Sequence, residues 1–541
     1  MSHPESTSVT EVPVALHDRL AHVLGEPCVI DSEPERTLCS TDVYGAGAVP
    51  ALVLRPENAN AVPEAVRLCA EAGYAMTVRG GGMSYTGGYV PASERSVVFD
   101  LSRLNRILEI NPDDLVVTVE AGVTWSQLYD ALSPLGLRLP FFGTFSGARA
   151  TVGGGLSNGA LFMGTARHGT AAEIVVALDV VAADGRLIRT GQPAFHNGRP
   201  AFRNYGPDLT GLFVHDAGSL GVKLRASLRL MEAPAAERPL SFACASESDA
   251  MAALSAIGRG GFAEEVYVFD PATTARSLAP AALEQDVKRL VAVMKRAGKP
   301  LEGLMAGFRV ARAGRSFAPE GMYTLHAVCA GRSEAAVAAD VEMLRERATS
   351  LGCLEIEPSI PTAARANPFE PVNGILGHDG ERWAALNAKV PHSDAPRLVK
   401  ATQAAIEPHA EAMARHGVTM SFLYIAIGNH VFSYEPVLRW KDEWLPVHRK
   451  TPEPDHLARL QEPPANPRAR RVVHQVRQAI VDAFADFGAA SNQIGKTYPH
   501  LPSLNPESRQ LLLALKRELD PSGLMNPGAL AGAGAGAGAG A

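Results

Sequence analysis

The chain has 541 residues, 46% of them hydrophobic, and a formal net charge of -6 at pH 7. This length predicts more than one domain, since a single hydrophobic core rarely organises so long a chain. The mildly negative charge argues against a nucleic-acid-binding surface. No apolar run reaches the roughly 18 residues typical of a transmembrane helix, and residues 1–13 lack the apolar region of a secretory signal. The six cysteines are scattered without a C-x-x-C motif, so a reducing cytoplasm is the expected compartment.

The N-terminal part predicts a β-α-β unit. Apolar residues at helical spacing predict a first helix that begins near Leu16 and ends near Gly25. A strand at residues 51–54, a helix capped by Asn60 and ended by Gly73, and a strand at residues 74–78 follow. Folds of this class usually bind ligands beyond the carboxyl ends of such strands.

A first glycine-rich stretch follows that second strand directly. Its glycines permit positive φ and bring backbone N–H groups close to a ligand, which suits a phosphate group. Its hydroxyl groups add further donors. The stretch matches neither the G-x-G-x-x-G fingerprint nor a P-loop. The cofactor-binding residues expected here are Arg79, Gly80, Gly81, Gly82, Met83, Ser84, Thr86 and Gly87.

A second glycine-rich stretch begins near residue 150, and a strand hairpin follows it. The apolar run at residues 174–181 turns back at Asp184-Gly185, which is a hairpin signal. Two hydroxyl-bearing glycine loops suit a diphosphate held from two sides. The binding residues expected here are Thr151, Gly153, Gly154, Ser157 and Asn158, with His168 and Gly169 positioning the cofactor.

The order of these parts resembles the vanillyl-alcohol oxidase / p-cresol methylhydroxylase (PCMH) family of flavoproteins. Residues 211–213, 218–222 and 519–528 carry the rest of the resemblance. It implies a two-domain α+β flavoprotein, with a PCMH-type FAD-binding domain and a cap domain containing a mixed sheet. It also implies that FAD is the cofactor and that Asn526 lies near the flavin.

A turn to Ala, Pro and Glu near residues 232–238 predicts a domain boundary. We expect the N-terminal part of the FAD-binding domain at residues 1–235 and the cap domain at residues 236–465. In the cap domain, strands are expected at residues 266–269, 322–330, 384–390 and 418–427, and helices at residues 281–297, 333–351 and 394–416. An irregular segment is expected at residues 429–464. Residues 466–530, with helices at 468–487 and 506–519, are expected to return to the FAD domain, and residues 531–541 form a disordered Gly-Ala tail.

Two branches of this family differ in their active-site residues, and the sequence matches neither fully. The phenol-oxidising branch has an acid where this chain has Ser157, and a Tyr-Arg pair where it has Asn492 and Gln493. The D-2-hydroxy-acid branch has a Gly-Asn-Leu-His motif, of which Gly428-Asn429-His430 is a partial match. The resemblance therefore leaves both substrate classes open.

His430 is the first candidate for the catalytic base, since it follows a predicted strand, and His392 is the second. His430 is about as well explained as a structural histidine, and for His392 the structural interpretation is favoured. A metal bound by both is a weaker alternative because no paired carboxylate is evident. Other candidate catalytic residues are Tyr424, Asn492 and Gln493. Tyr85, Tyr424, Tyr434 and Trp440 are candidates for an aromatic pocket or for the core, and Arg439 and Lys441 for a carboxylate site or ordinary surface charge.

The expected function is FAD-dependent oxidation of a small hydroxylated substrate, with a 2-hydroxy acid such as D-lactate or glycolate as the first expectation. The alternatives are a para-substituted phenol or aryl alcohol, or a flavin-binding protein, lyase or transferase on the same scaffold. The sequence leaves open the electron acceptor (oxygen, quinone or cytochrome), a covalent flavin link and a homodimer.

Overall fold

The computed structural model describes residues 14–278 and 320–531. The helix expected at residues 281–297 and all but the first residue of the Gly-Ala tail lie outside these ranges. Within them, no helix combines the length and apolarity needed to cross a membrane. The helices are α1 Val14–Leu24, α2 Glu33–Cys39, α3 Val62–Glu71, α4 Trp125–Leu132, α5 Val152–Asn158, α6 Thr165–His168, α7 Ala171–Ile174, α8 Leu209–Leu212, α9 Glu247–Gly260, α10 Pro271–Leu278, α11 Glu334–Ser350, α12 Ser359–Ala366, α13 Ala395–Ile406, α14 Ala410–His416, α15 Pro446–Lys450, α16 Pro454–Leu457, α17 Pro467–Phe487, α18 His500–Ser503 and α19 Pro506–Leu519.

A four-stranded sheet carries the first glycine-rich stretch. Its order is β1-β2-β4-β3, with β1 Val29–Ile30, β2 Leu52–Leu54, β3 Ala75–Arg79 and β4 Ser96–Asp100. Strands β2 and β3 both lie parallel to β4, with α3 connecting them, so the predicted β-α-β unit is present. The start of the helix differs from the prediction. Asn58, rather than Asn60, is an N-cap, and it caps a short 3-10 turn after which α3 begins at Val62. The first glycine-rich stretch leaves the carboxyl end of β3.

A five-stranded antiparallel sheet carries the second glycine-rich stretch and its hairpin. Its order is β5-β6-β10-β8-β9, with β5 Ile107–Asn111, β6 Val116–Glu120, β8 Val175–Val181, β9 Leu187–Arg189 and β10 Val222–Arg229. The predicted hairpin is β8–β9. A capping box of Thr124 and Gln127 begins α4. A short pair, β7 Leu137–Arg138 with β11 Met231–Glu232, lies beside the sheet.

The third sheet contains eight strands and forms the cap. They are β12 Ala236–Cys244, β13 Glu265–Phe269, β14 Tyr323–Gly331, β15 Leu354–Ile356, β16 Arg382–Ala385, β17 Ala388–Pro391, β18 Thr419–Ile427 and β19 Val431–Trp440. The main path is β15-β12-β14-β13-β18-β19-β16, and β17 also pairs with β19. Every pairing among these described strands is antiparallel. Among the described strands, the cap sheet is therefore antiparallel and not the mixed sheet that was expected, although helices pack on it as an α+β domain requires.

Several local expectations for the cap are wrong. The segment expected to be irregular from residue 429 begins with the ten-residue strand β19, whose pattern is interrupted in the sequence by Pro436. Proline usually disfavours a central strand because it cannot donate a backbone hydrogen bond. Here its carbonyl accepts a bond from Leu386 N–H at 2.9 Å, in the gap between β16 and β17. That gap also divides the single strand expected at residues 384–390.

The helix expected at residues 394–416 is interrupted by a 3-10 turn at Glu407–His409, which contains Pro408. Proline favours the start of a new helical segment, because its missing N–H and fixed φ suit the first turn. The second glycine-rich stretch is also not a loop throughout, since residues 152–158 form α5 with Thr151 as its N-cap.

The C-terminal segment returns to the first sheet, in the way the resemblance implies. Met525 bridges to Met76 of β3 in parallel. The N–H of Met76 donates to Leu524 O, and the N–H of Asn526 donates to Met76 O, each at 2.7 Å. The exact limits of the domains stay a prediction.

Candidate active site

A cavity of about 990 Å³ lies where the two glycine-rich stretches meet the cap sheet. One end is lined by the glycine-rich stretches together with Gly218, Gly221 and Lys223. The other end is lined by aromatic and aliphatic side chains of the cap, with Glu435 and Gln493 among them. The described residues therefore form one continuous space with a backbone-rich end and an apolar end.

The first glycine-rich stretch requires its glycines for close packing. A Cβ on Gly81 would clash with the backbone oxygen of Arg149, and one on Gly80 with Oγ1 of Thr151. Gly82 has φ of +72°, which L side chains rarely adopt. The two stretches therefore touch each other, and only glycine permits that approach.

The backbone donors of this stretch are free to bind a ligand. The N–H groups of Gly81, Gly82 and Met83 donate to no protein group within the described residues. Unpaired N–H groups in successive residues form an anion-binding concavity. Arg79 and Lys223 line the same end; Arg79 Nη1 donates to Thr41 O at 3.2 Å, and Lys223 Nζ lies 2.7 Å from Asp216 Oδ1.

The second stretch closes the same end from the opposite side. Thr151 Oγ1 accepts the N–H of Gly154 at 3.3 Å and so begins α5. A Cβ on Gly153 would lie 2.7 Å from the Cβ of Ala121, and a Cβ on Gly155 would lie 2.6 Å from the indole of Trp125. Asn158 and Asn492 both line the cavity, and each has a buried side-chain oxygen without a hydrogen-bond partner. Such atoms normally bind a polar partner, which a nucleotide cofactor would supply.

Asn526 links the C-terminal segment to this end. Its Nδ2 donates to Gly88 O at 2.7 Å and to Ala217 O at 2.6 Å. Its φ is +46°, a region in which asparagine is favoured over most residues. Asn526 does not line the cavity, so it supports the glycine-rich stretch from behind.

A few polar side chains, including Glu435, Gln493 and Tyr85, line the otherwise apolar end of the cavity. Glu435 of β19 is half-buried, and burial raises the pKa of its carboxyl to about 7, with a hydrogen bond from Asn387 as a smaller opposing effect. Ser84 Oγ donates to Gln493 Oε1 at 2.9 Å. Burial raises the pKa of Tyr85 well above its usual value, and a hydrogen bond with Gln493 partly opposes that rise. A carboxyl that titrates near neutral pH is suited to accept a proton from a substrate.

Aromatic side chains form the rest of that wall. The Tyr85 and Trp383 rings are 5.4 Å apart, and the Tyr267 and Phe269 rings are 5.3 Å apart. Ile425 lines the same wall. Such a wall excludes water and binds a flat or apolar group.

Comparisons with known proteins agree with this geometry. Residues 50–191 match the family of FAD binding domains. The chain is similar to the mitochondrial D-lactate dehydrogenase [cytochrome] of Kluyveromyces lactis, with 32% identity over 182 residues, which are 33% of this chain and 30% of that protein. It is also similar to the glycolate oxidase subunit GlcD of Bacillus subtilis, with 30% identity over 224 residues, 41% of this chain and 46% of that protein. The chain thus spans less than half the length of these relatives.

The chain thus contains an FAD binding domain, and its similarity to these oxidising enzymes extends over part of its length.

Solved structures give the same fold over most of the chain. Substrate-bound p-cresol methylhydroxylase aligns with a TM-score of 0.71 at 18% identity, covering 96% of both chains. The isoeugenol complex of 4-ethylphenol oxidase from Gulosibacter chungangensis aligns with a TM-score of 0.66 at 17% identity, also covering 96% of both chains. The expected PCMH-type fold and FAD as the cofactor are confirmed, and the comparisons agree with the expected family. The free N–H groups and unpartnered amide oxygens described above fit that cofactor.

Most of the predicted cofactor-binding residues meet at the cavity, although their roles stay predictions. Thr86, Gly87, His168 and Gly169 do not line it. Thr86 Oγ1 lies 3.1 Å from Ser84 Oγ, and Gly87 N–H donates to Asp42 Oδ2 at 2.7 Å, so both support the stretch from behind. The lining residues from the prediction are Arg79, Gly80, Gly81, Gly82, Met83, Ser84, Thr151, Gly153, Gly154, Ser157 and Asn158.

The catalytic candidates divide into two groups. Asn492 and Gln493 line the cavity. His430 is exposed in the turn between β18 and β19, and His392 packs beside Gly258, so neither lines the cavity. Tyr424 is on the opposite face of β18 from Leu423 and Ile425, and its hydroxyl donates to Glu247. These three side chains therefore lie outside the cavity, and their expected catalytic roles stay predictions.

Other predicted side chains also lie away from the reacting end. His168 Nε2 is 3.5 Å from Glu264 Oε1. Tyr434 and Trp440 are buried in the cap core, whereas Tyr85 lines the cavity. No cluster of three or more His, Cys, Asp or Glu side chains suited to a metal ion occurs within residues 14–278 and 320–531.

Sequence reasoning missed Glu435, Trp383 and Asp42. Glu435 is in a segment expected to be irregular, so its alternation with the buried Tyr434 and Pro436 was not used. Asp42 accepts three backbone N–H groups, from Tyr44, Gly45 and Gly87, which fixes the approach to the glycine-rich stretch. An Asp two residues before a Tyr-Gly pair is typical of an Asx turn, and this signal was available in the sequence.

Proposed function

We propose that this FAD-linked oxidase removes two electrons from a hydroxyl-bearing or aryl substrate at the Glu435 end of the cavity. The observation that carries the proposal is a proton acceptor, Glu435, in the wall of the same cavity that the glycine-rich stretches line. FAD, when bound, supplies the acceptor for a hydride. The protein's own groups must then orient the substrate, exclude water and take up the proton.

Glu435 is suited to the proton step. Its pKa near 7 places its ionised and neutral forms at similar populations at neutral pH, which favours general-base catalysis. For an alcohol, the Glu435 carboxylate would take up the O–H proton, while bound FAD would supply the acceptor for the hydride of the C–H bond. The products would be a carbonyl compound, a protonated Glu435 and the two-electron-reduced cofactor.

Tyr85 and Gln493 are suited to orient the substrate oxygen. Both line the cavity, and Ser84 fixes the Gln493 amide by donating to its oxygen. The Gln493 nitrogen is then directed toward acceptors such as the Tyr85 hydroxyl. These two side chains provide a donor pair where a substrate hydroxyl or phenol oxygen would lie.

The charges of the cavity support an aryl alcohol or phenol over a 2-hydroxy acid. Among the described lining residues, the cations are Arg79 and Lys223, and both lie at the cofactor end. A 2-hydroxy acid carries its carboxylate next to the reacting carbon and needs a cation there. At the reacting end it would instead meet Glu435 and an aromatic wall. Oxidation of a 2-hydroxy acid stays the second candidate, supported by the similarity to a D-lactate dehydrogenase and a glycolate oxidase subunit.

The electron acceptor and the compartment are separate parts of the proposal. The name of the Kluyveromyces relative supports a cytochrome, while oxygen and quinone are the other candidates. A cytoplasmic location and a homodimeric state stay proposals that rest on the sequence alone.

The test is anaerobic mixing of the FAD-loaded protein with a substrate panel, monitored by loss of flavin absorbance. The panel pairs aryl alcohols and para-alkylphenols with D-lactate, glycolate and D-2-hydroxyglutarate. The proposal expects reduction by at least one aryl compound, with a rate constant well above that of each hydroxy acid. Reduction by hydroxy acids alone would move the assignment to the second candidate. If no compound reduced the flavin, the non-redox use of the scaffold would gain support.

A further inference from the structure

Two arginines, Arg276 and Arg439, are close enough to interact electrostatically, and each neighbours a residue that lines the cavity. Arg276 is on α10, which packs on β18, and Arg439 is near the end of β19. Residues at even spacing on a strand share one face, so Glu435, Val437 and Arg439 point to the same side of the cap sheet. At the usual rise of a strand, four residues place Arg439 about 13 Å from Glu435.

Both arginines border the cavity wall without being part of the reacting end. Arg439 is the direct cross-strand partner of Trp383, which lines the cavity. Side chains paired in this way have Cβ atoms about 5 Å apart. Ser277, which follows Arg276, also lines the cavity. The two arginines therefore neighbour the part of the cavity wall formed by Trp383 and Ser277, and not the cofactor end.

Their hydrogen-bonding capacity is largely unused. Nε and Nη2 of Arg276 are buried and have no hydrogen-bond partner. Arg439 Nη1 donates to the neutral hydroxyl of Ser421 at 2.9 Å. Among the described residues, neither arginine donates a hydrogen bond to a carboxylate. A buried cation without a partner costs free energy, and a bound anion would recover it.

The nearby carboxylates are engaged elsewhere. Asp270 and Glu381 are close enough to influence both arginines electrostatically. Asp270 Oδ1, however, accepts the N–H of Thr273 at 2.7 Å, and Glu381 Oε2 accepts the N–H of Asp379 at 3.0 Å. Burial, followed by the charge of Arg276, lowers the pKa of Arg439 to about 10. The two acids offset the positive charge without occupying its donors.

We infer that Arg276 and Arg439 form an oxyanion subsite that binds a carboxylate, sulfate or phosphate group at the far end of an extended substrate. The inference rests on the proposed function and names its substrate class: an aryl substrate whose reacting group is uncharged and whose anionic group lies about 13 Å away. This separates the two recognition tasks. The apolar end receives the reacting group beside Glu435, and the arginines receive the charge.

The binding test uses sulfate as a probe and needs no turnover. Isothermal titration calorimetry of the FAD-loaded protein with sodium sulfate, at constant ionic strength, measures its affinity in the wild type, Arg276→Met, Arg439→Met and Arg345→Met. Arg345 is an exposed arginine of α11 that is paired with Glu355 and does not line the cavity, so it is the matched control. Loss of one charged donor predicts about 10-fold to 100-fold weaker binding in the first two variants and none in the control. No binding to the wild type, or equal binding to all four proteins, would overturn the subsite.

A kinetic arm separates a substrate group from a free anion. With an aryl substrate that carries a distal carboxylate, sulfate is expected to raise KM and leave kcat unchanged. Arg439→Met is expected to raise KM for that substrate and not for its uncharged analogue. If sulfate binds at the arginines but KM does not change, the substrate assignment is contradicted. Because the calorimetric arm is independent of catalysis, failure of the proposed redox function would not be mistaken for failure of the subsite.

Discussion

At the scale of single residues, the face of each strand decides which chemistry-bearing side chain reaches the substrate. In β19, Glu435 faces the cavity, while Tyr434 is buried in the cap core. The sequence alone favoured His430, because a histidine after an apolar strand is a familiar position for a base. That position is a hairpin turn here, and the alternation that identifies Glu435 is only visible once β19 is recognised as a strand.

His430→Ala is expected to have little effect on the reaction. The side chain is exposed and lies outside the cavity, so flavin reduction should stay within about twofold of the wild-type rate, and surface substitutions of this kind usually change stability by about 0.5 kcal/mol or less. Anaerobic stopped-flow reduction at saturating substrate measures the rate, and a thermal melt checks the fold. A fall of about 100-fold or more in a folded, FAD-loaded variant would restore His430 as the base.

At the scale of elements, the sequence located the two stretches that line one end of the cavity, because glycine patterns carry backbone information. The close approach of Gly81 to Arg149 leaves space only for hydrogen, so the composition of this stretch reflects its geometry directly. The second stretch was placed correctly but described as a loop, because four consecutive positions from Val152 to Gly155 contain three glycines, which weaken helix propensity. The helix forms because Thr151 caps its N-terminus, and its glycines are required by close packing against Ala121 and Trp125.

Gly81→Ala is expected to abolish FAD retention. The added Cβ would clash with the backbone oxygen of Arg149, which cannot move as a flexible side chain would. The matched control is Gly45→Ala, because a Cβ at Gly45 meets nothing within 4 Å and its φ is not in the left-handed region. The ratio of flavin absorbance to protein concentration after gel filtration gives the occupancy. Full occupancy in Gly81→Ala would show that the stretch does not hold the cofactor.

At the scale of the whole molecule, a buried charge network fastens the cap sheet to the FAD-binding part. Glu264 precedes β13 of the cap and contacts Arg138 of β7, while Arg365 Nη2 lies 3.0 Å from Glu264 Oε2 and 2.9 Å from Glu265 Oε1. Burial alone would raise the pKa of Glu264, but Arg138, His168 and Arg365 hold it well below its usual value. Sequence patterns identify the strands of such a sheet but not which distant charges meet across it, since these residues are more than 100 positions apart.

Glu264→Gln is expected to destabilise the folded protein by about 3–5 kcal/mol at pH 7, because it leaves buried arginine charge without its carboxylate. The pKa of Glu264 is lowered on folding, so its stabilisation is present above the unfolded pKa of about 4.5 and is lost as the pH falls toward the folded value. Urea unfolding at pH 7 and pH 4 measures both effects. Glu355→Gln, on exposed β15, is the control. Equal midpoints for Glu264→Gln and the wild type at pH 7 would rule out this role.

The most direct measurement of the central claim is the pH dependence of anaerobic flavin reduction in the wild type, Glu435→Gln and Glu355→Gln, using the best substrate of the panel. Glu435 must be ionised to accept the proton, so the wild-type rate is expected to rise with pH through a midpoint near 7. Glu435→Gln should lose about 10²–10⁴-fold in rate and lose that midpoint, while Glu355→Gln keeps both. A folded, FAD-loaded Glu435→Gln protein that reduces at the wild-type rate with the same pH midpoint would contradict the assignment of the cavity and its carboxyl to the reaction.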